Sequence, residues 1–187
     1  MSPRPAVPKG ARTAVRSTKV SPVSAVLEGL PAVIGCNTRL IVLGSFPGVA
    51  SLQQQQYYGH PRNQFWPLLG AIWQIDLVAP AYPERIAELR RRGVGLWDVY
   101  ARCRREGSLD QAIEEAELND LASLRRRAPG LALVAHNGAE SARAWRHTAA
   151  LGCDWLRLPS TSPANAGWSF ERKLTAWHDA FKRAGVG

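Results

Sequence analysis

The sequence is short of cysteine and of long apolar runs, and each shortage excludes a class of protein. Its three cysteines, Cys36, Cys103 and Cys153, lie far apart and form no CxxC pair. A disulfide framework, a zinc site and a four-cysteine iron–sulfur cluster are therefore not expected. No apolar stretch approaches the ~20 residues that span a bilayer. We predict a cytoplasmic protein with no metal, no cofactor and no membrane partner.

Acidic residues are absent from the first twenty positions, which carry five basic residues: Arg4, Lys9, Arg12, Arg16 and Lys19. The same segment is rich in proline and serine and lacks the apolar core of a secretory signal. We expect residues 1–22 to form a disordered basic arm, with a transit-type peptide or a DNA-tethering arm as alternatives. Residues 23–187 are expected to form a single domain, since this length supports one substantial core.

The net charge favours a polyanionic partner. The chain has a formal net charge of +9 and a pI of about 10.2, as is common in proteins that bind nucleic acid. Without the basic residues of the arm the same count leaves about +4, so the domain itself is only mildly basic.

Four short apolar segments alternate with helical patterns along the chain: Leu40–Leu43, Gly95–Tyr100, Leu131–Ala135 and Trp155–Leu158. The first and third are nearly continuous apolar runs, which is typical of strands covered on both faces. Alternating strands and helices predict an α/β fold, a three-layer α/β/α domain with a central, mainly parallel four-stranded sheet. In such sheets ligands bind beyond the carboxyl ends of the strands.

Sequence patterns that are typical of helices lie in the segments between and after the predicted strands. A helix is predicted over Pro83–Arg92, and a capping-box pattern at Ser108–Gln111 predicts the opening of a short one. Asn119 is expected to cap a helix over Asp120–Arg127. The last helix is predicted from an apolar stripe at helical spacing, formed by Phe170, Leu174, Trp177 and Phe181.

The residues after the first predicted strand carry the most information. Gly44-Ser45-Phe46-Pro47-Gly48 forms a glycine-rich turn, and an aromatic, polar loop follows over Tyr57–Trp66. Glycine allows the chain to approach a ligand closely, aromatic rings stack on flat molecules, and the Asn63 amide both donates and accepts hydrogen bonds. These residues predict a pocket for a flat heterocycle such as a nucleobase.

This loop resembles the opening motif of the uracil-DNA glycosylase superfamily. In its mismatch-specific branch the strand ends in Gly-x-Asn-Pro-Gly, an aromatic residue follows ten positions later, and His-Pro-x-Asn-x-Phe-Trp comes next. Here Tyr58 stands ten positions after Gly48, and His60–Trp66 matches the second motif. The chain departs from that branch at Phe46, which replaces its catalytic Asn.

The variant Gly-Ser-Phe-Pro-Gly, together with Leu158–Asn165, is similar to the hypoxanthine-DNA glycosylase family of this superfamily. The resemblance extends from about Leu40 to Phe181 and implies that the catalytic amide has moved to Asn63, with Asn137 as a second catalytic residue. Asn63 would orient the attacking water or bond to the base. We expect the base-binding residues to be Gly44, Ser45, Phe46, Pro47, Gly48, Tyr58, His60 and His136.

The segment Leu158–Asn165 is expected to begin as a strand and continue as a loop that presses into the DNA minor groove and contacts phosphates. The residues expected to bind DNA are Ser160, Thr161, Ser162, Pro163 and Asn165, and an ordinary connection is the alternative. Phe65 and Trp66 are predicted to be core residues. His60 and His136 are each either a structural hydrogen-bonder or a contact in the pocket or to a phosphate, and a helix cap is the alternative role of Asn137. For Asp98 we expect a structural salt bridge, with general-base chemistry as the alternative.

The resemblance therefore implies a DNA glycosylase that removes deaminated bases, hypoxanthine first, from DNA, and we expect the protein to be a monomer. The pocket motifs contain no lysine for a Schiff base, which predicts simple hydrolysis that leaves an abasic site. One alternative is a uracil-preferring glycosylase of the same superfamily. Others are a non-catalytic damage-binding protein with this fold and an RNA- or nucleotide-processing enzyme, although the sequence lacks the P-loop signature.

Overall fold

The computed structural model describes residues 25–187, so the arm predicted at residues 1–22 lies outside the described residues. Its strands are β1 Val26–Glu28, β2 Leu40–Gly44, β3 Val94–Asp98, β4 Tyr100–Arg104, β5 Glu114–Leu118, β6 Leu133–Asn137 and β7 Asp154–Leu158. Its α-helices are α1 Val49–Gln54, α2 Phe65–Trp73, α3 Tyr82–Arg91, α4 Leu124–Arg127, α5 Ala139–Ala142, α6 Trp145–Ala149 and α7 Phe170–Ala184.

The central sheet contains four parallel strands in the order β3-β2-β6-β7. Each strand lies within a few residues of an apolar segment identified in the sequence. The in-register pairing of β2 with β3 runs from Leu40 opposite Val94 to Gly44 opposite Asp98. All four carboxyl ends therefore meet at one edge. The predicted α/β/α fold with a parallel four-stranded sheet is confirmed.

The layers arise because side chains alternate along a strand. In β2, Leu40 and Val42 join the hydrophobic core on the side of α2 and α7, while Ile41 and Leu43 join the core on the side of α4. All residues of β2 are buried, which explains its unbroken apolar sequence.

A second, antiparallel sheet in the order β1-β4-β5 was not predicted. The helix predicted to open at Ser108–Gln111 is a single 3-10 turn, Asp110–Ala112, followed by β5. Tertiary partners take the groups that would have capped a helix. The Ser108 hydroxyl accepts a hydrogen bond from the Val49 amide at 2.9 Å, and Asp110 accepts one from the Ser45 hydroxyl at 2.6 Å.

The remaining helices lie close to their predicted positions, with one change of cap. The segment predicted as Asp120–Arg127 begins with a 3-10 turn, Leu121–Ser123, and Asp120 accepts the capping hydrogen bond from the Ser123 amide. The side chain of Asn119, the predicted cap, instead donates to the Asp98 carbonyl at 2.9 Å. Within residues 25–187, none of these helices has the length and apolar character that crossing a bilayer requires.

Candidate active site

A cavity of about 1040 Å³ opens at the carboxyl edge of the central sheet. Its wall is formed by the segments that follow the strand ends: the Gly44–Gly48 turn after β2, Asp98 at the end of β3, Asn137 at the end of β6, and the loop after β7. The Tyr58–Asn63 loop closes another side. Motifs far apart in the sequence therefore meet around one space, as the parallel topology requires.

The Gly44–Gly48 turn is held close to the cavity by its neighbours. A side chain at Gly44 would collide with Oδ1 of Asp98, so only glycine fits there. The guanidinium group of Arg105 lies 5.1 Å from the centre of the Phe46 ring and donates to the carbonyl oxygens of Pro47 and Gly107. Phe46 is buried but still contributes to the cavity wall.

Tyr58 presents an aromatic side chain to the cavity. Its ring stacks on Phe65 with centroids 3.9 Å apart and planes 20° from parallel. Its φ of +56° lies in the left-handed region, which is uncommon for an aromatic residue. Phe65 and Trp66 are buried at the start of α2, as predicted, so they support Tyr58 from the core.

Asn63 is half-buried and lines the cavity. Its Oδ1 accepts a hydrogen bond from the Phe65 main-chain N–H at 3.0 Å, and the main-chain N–H of Asn63 donates to the His60 carbonyl at 2.8 Å. Its Nδ2 has no partner among the described residues. His60 also lines the cavity, and its Nδ1 accepts from the Arg62 amide at 3.1 Å, so a neutral ring carries its proton on Nε2.

Asn137 connects three parts of the site. Its Nδ2 donates to the Thr161 hydroxyl at 3.0 Å and to the Tyr58 hydroxyl at 3.3 Å, and its Oδ1 accepts from the Thr161 amide at 2.9 Å. Both hydrogens of the amide are therefore engaged within the protein. Asn137 joins the end of β6 to the aromatic loop and to the loop after β7.

The loop after β7 contains the residues expected to contact DNA, and they differ in accessibility. Thr161 is 0% exposed, so its hydroxyl faces Asn137 and does not reach a phosphate; the expectation for this side chain is corrected. The Ser160 and Ser162 hydroxyls accept hydrogen bonds from the Ser162 and Ala164 amides, which leaves their hydrogens available. Pro163 is exposed and Asn165, half-buried, donates to the Ser160 carbonyl.

Lys173 on α7 holds this loop in place, and sequence reasoning missed it. The side chain is 2% exposed, and its Nζ donates to Gln64 Oε1 at 2.8 Å and to the Asn165 carbonyl at 3.1 Å. Burial lowers its pKa. Lys173 thus connects the loop that carries Asn63 to the loop after β7. The only sequence signal was a lysine on the α7 side that faces the core.

The structure does not bring His136 to the cavity, so its expected place in the pocket wall is corrected. It precedes Asn137 on β6, and successive side chains point to opposite faces. Its ring is 0% exposed and bonds to the Ser141 hydroxyl at 3.0 Å and the Thr148 hydroxyl at 2.9 Å. The Ser141 hydroxyl donates onward to the Leu43 carbonyl at 2.6 Å, and the Thr148 hydroxyl to the Trp145 carbonyl at 3.1 Å, so the ring belongs to a buried hydrogen-bond network. Burial lowers the pKa of His136 to about 4.

His136→Ala is therefore expected to cost stability and leave base preference unchanged. The substitution opens a cavity and removes the ring partner of two buried hydroxyls, at a cost of about 2–4 kcal/mol. Urea unfolding measures the loss, with the exposed His147→Ala as the matched control. Because the folded ring resists protonation, the wild type should also lose stability as pH falls from about 6.5 towards 4. A changed base preference with unaltered stability would contradict this assignment.

The salt bridge expected for Asp98 is not formed. The carboxyl group is buried, with 4% of the residue exposed, and no cation of the described residues forms an ion pair with it. Within residues 25–187, no cluster of His, Cys, Asp and Glu side chains is arranged to hold a metal ion.

The fold and the cavity together define an α/β/α protein with a cleft beyond the carboxyl ends of its parallel strands, the place where ligands bind in such sheets. The family model of the uracil DNA glycosylase superfamily matches residues 31–181. The chain belongs to the uracil DNA glycosylase superfamily.

Two curated relatives are similar to nearly the whole domain. A hypoxanthine DNA glycosylase of Methanosarcina barkeri is 42% identical over 156 residues, which cover 83% of this chain and 98% of the relative. A hypoxanthine DNA glycosylase of Methanosarcina acetivorans is 36% identical over 157 residues, which cover 84% of this chain and 99% of the relative. The NMR structure of a candidate uracil DNA glycosylase from Methanosarcina acetivorans matches with a TM-score of 0.78 and 35% sequence identity. The match covers 86% of this chain and 99% of that structure.

Proposed function

We propose that this protein is a monofunctional DNA glycosylase that hydrolyses the N-glycosidic bond of deaminated bases, with hypoxanthine as its main substrate. The observation that carries the proposal is the position of Asn63, whose amide lines the cavity while its Nδ2 has no partner among residues 25–187. The two relatives named hypoxanthine DNA glycosylase support hypoxanthine as the substrate.

The cavity suits an extruded base. Taking a base out of the duplex stack costs a few kcal/mol, and stacking on an aromatic ring recovers about 1–3 kcal/mol per base. Tyr58 is the proposed stacking residue, because its ring lines the cavity and is supported by Phe65. His60 is proposed to donate from Nε2 to the base or to a nearby phosphate.

Bond cleavage leaves negative charge on the departing base and positive charge on the sugar. Fixed donors aimed at the developing charge usually make the largest contribution to catalysis. We assign this role to Asn63 Nδ2 and to the main-chain N–H of Phe46, which donates to no acceptor within the described residues. Asn137 is proposed to act by holding Tyr58 and the loop after β7, since both of its amide hydrogens are engaged.

Simple hydrolysis is favoured over lyase chemistry because no lysine is available at the cavity. Neither lysine of the described part of the chain, Lys173 or Lys182, lines it. DNA is proposed to contact Ser160 and Ser162. It is also proposed to contact Arg62 and Arg157, two exposed arginines in the lining of the cavity. The monomeric state and the cytoplasmic location stay predictions.

An abasic-site assay tests the function directly. Oligonucleotides that contain inosine, uracil, xanthine or only normal bases are incubated with the protein and then treated with alkali. We expect release of free hypoxanthine and strand breakage at inosine, and no reaction with the undamaged strand. Faster reaction at uracil would indicate the uracil-preferring alternative. Tight binding without cleavage would indicate a damage-binding protein, and activity only on mononucleotides would indicate a nucleotide-processing enzyme.

A further inference from the structure

Asp98 lies in the cavity wall and is also almost completely buried. It is the last residue of β3, and it lines the same cavity as Asn63 and Tyr58. It is also almost completely buried, with 4% of its surface exposed. Asp98 and Asp110 are the two acidic residues of the described chain in the cavity wall, and Asp110 is already bonded to the Ser45 hydroxyl.

The carboxyl group of Asp98 has no compensating partner. Its Oδ2 is buried and forms no hydrogen bond within residues 25–187. Arg105, whose charge acts on Asp98 without an ion pair, donates to the Pro47 and Gly107 carbonyls, and its Nη1 has no partner within residues 25–187. A buried carboxylate without a partner is costly, so the group tends to keep its proton.

The groups that face Asp98 do not reverse this tendency. Arg105, after β4, lowers its pKa, while Asp110, in the 3-10 turn, raises it. Tyr57 and Tyr58, from the aromatic loop, are neutral because burial raises the pKa of both. Burial is the largest influence, and it raises the pKa of Asp98 to about 7.

Because Gly44 has no side chain, the carboxyl group of Asp98 can lie directly against it in the cavity wall. Asp98 Oδ1 occupies the space that a side chain at position 44 would need, and the Tyr58 hydroxyl lies 3.9 Å from that same point. The carboxyl group, the stacking ring and the glycine-rich turn therefore converge at the place where the base is proposed to lie.

We propose that Asp98 is the catalytic acid that protonates the departing purine, an inference that rests on the proposed function. The bond between C1′ and N9 breaks, its electron pair moves to the purine, and the carboxyl proton moves to a ring nitrogen of the base. The oxygen of the attacking water bonds to C1′. The proton released by that water returns to the carboxylate, directly or through solvent, and the neutral base leaves.

The test is the pH dependence of single-turnover excision from an inosine oligonucleotide. For the wild type, the rate constant should fall by about tenfold per pH unit above the point where the acid ionises. Asp98→Asn keeps the size of the side chain but has no proton to transfer. It should lower the rate constant by about 100-fold or more and abolish the falling limb. Asp179→Asn, an exposed carboxyl group on α7, is the matched control and should keep the wild-type profile.

Two further readouts separate chemistry from folding. Thermal unfolding of Asp98→Asn should show a folded protein, and its affinity for DNA with an abasic site should match the wild type. A wild-type profile without a falling limb, or the same limb in Asp98→Asn, would overturn the inference while leaving the proposed function intact. A wild type that releases no base from any lesion oligonucleotide would overturn the proposed function and the inference with it.

Discussion

Asn63→Ala is expected to slow excision of hypoxanthine by about 100–1,000-fold, the usual effect of removing one donor that stabilises developing charge. The side-chain amide of Asn63 lines the cavity, and its Nδ2 has no partner among residues 25–187. Tyr58 and the rest of the cavity wall stay in place, so binding of lesion DNA should change far less than the rate. Single-turnover kinetics and a binding titration measure the two effects separately.

The experiment needs a control for structure, because Asn63 also supports the start of α2 through its bond to the Phe65 amide. Losing such a side-chain-to-backbone hydrogen bond costs about 1 kcal/mol. Asn63→Ser keeps an oxygen that can accept this bond, but its hydroxyl is one bond shorter than the amide and does not reach the position of Nδ2, so the variant should be folded and equally slow. Asn37→Ala, an exposed asparagine outside the cavity, should behave as wild type. Full activity in Asn63→Ser would exclude the amide from catalysis.

Asn137→Ala is expected to impair both stability and activity. The substitution removes the partners of the Thr161 amide and hydroxyl, and Thr161 is completely buried. Each buried polar group left unpaired costs about 1–3 kcal/mol. The loop after β7 would lose its attachment to β6, and the Tyr58 hydroxyl would lose a donor. We expect weaker binding of lesion DNA together with slower excision, measured by titration, kinetics and urea unfolding.

Thr161→Val distinguishes the two roles that Asn137 can have. This variant removes the hydroxyl that accepts from Asn137 Nδ2 but keeps the amide of Asn137 and its bond to the Thr161 main chain. If Asn137 acts by holding the loop, Thr161→Val should reproduce part of the loss in DNA affinity. If the amide contacts the base directly, Thr161→Val should retain wild-type kinetics. Unchanged stability and activity in Asn137→Ala would rule out both roles.

The fold was largely predictable because its determinants are local. Buried parallel strands need continuous apolar residues, and β2 and the first three residues of β6 have them. The amphipathic stripe of α7 repeats at helical spacing. The second sheet was not predictable in this way, since every residue of β5 is exposed and it carries no alternating pattern. Its pairing is supported by cross-strand ion pairs of Arg102 with Glu117 and of Arg104 with Glu115.

The candidate site was predictable in part. Motif spacing identified Asn63, Tyr58 and Asn137 as cavity residues, and the structure brings them to one space. The same spacing led to an incorrect position for His136, because neighbours on a strand face opposite sides and the motif does not state which residue faces the cavity. Side chains alternate between the two faces of β6, and the register of β6 in the sheet decides which face each residue takes. His136 therefore points toward Ser141 and Thr148.

The sequence by itself indicated the α/β architecture through its short apolar segments, and the resemblance of its motifs to a known superfamily indicated most of the residues that surround the cavity. Tertiary structure alone decided which polar groups are already paired. Asn137 and Thr161 are bonded to each other across the site, whereas Asp98 is left buried without a partner. Hydrogen-bond partners and desolvation depend on neighbours that are distant in the chain, and those neighbours determine whether a polar side chain supports the fold or is available for chemistry.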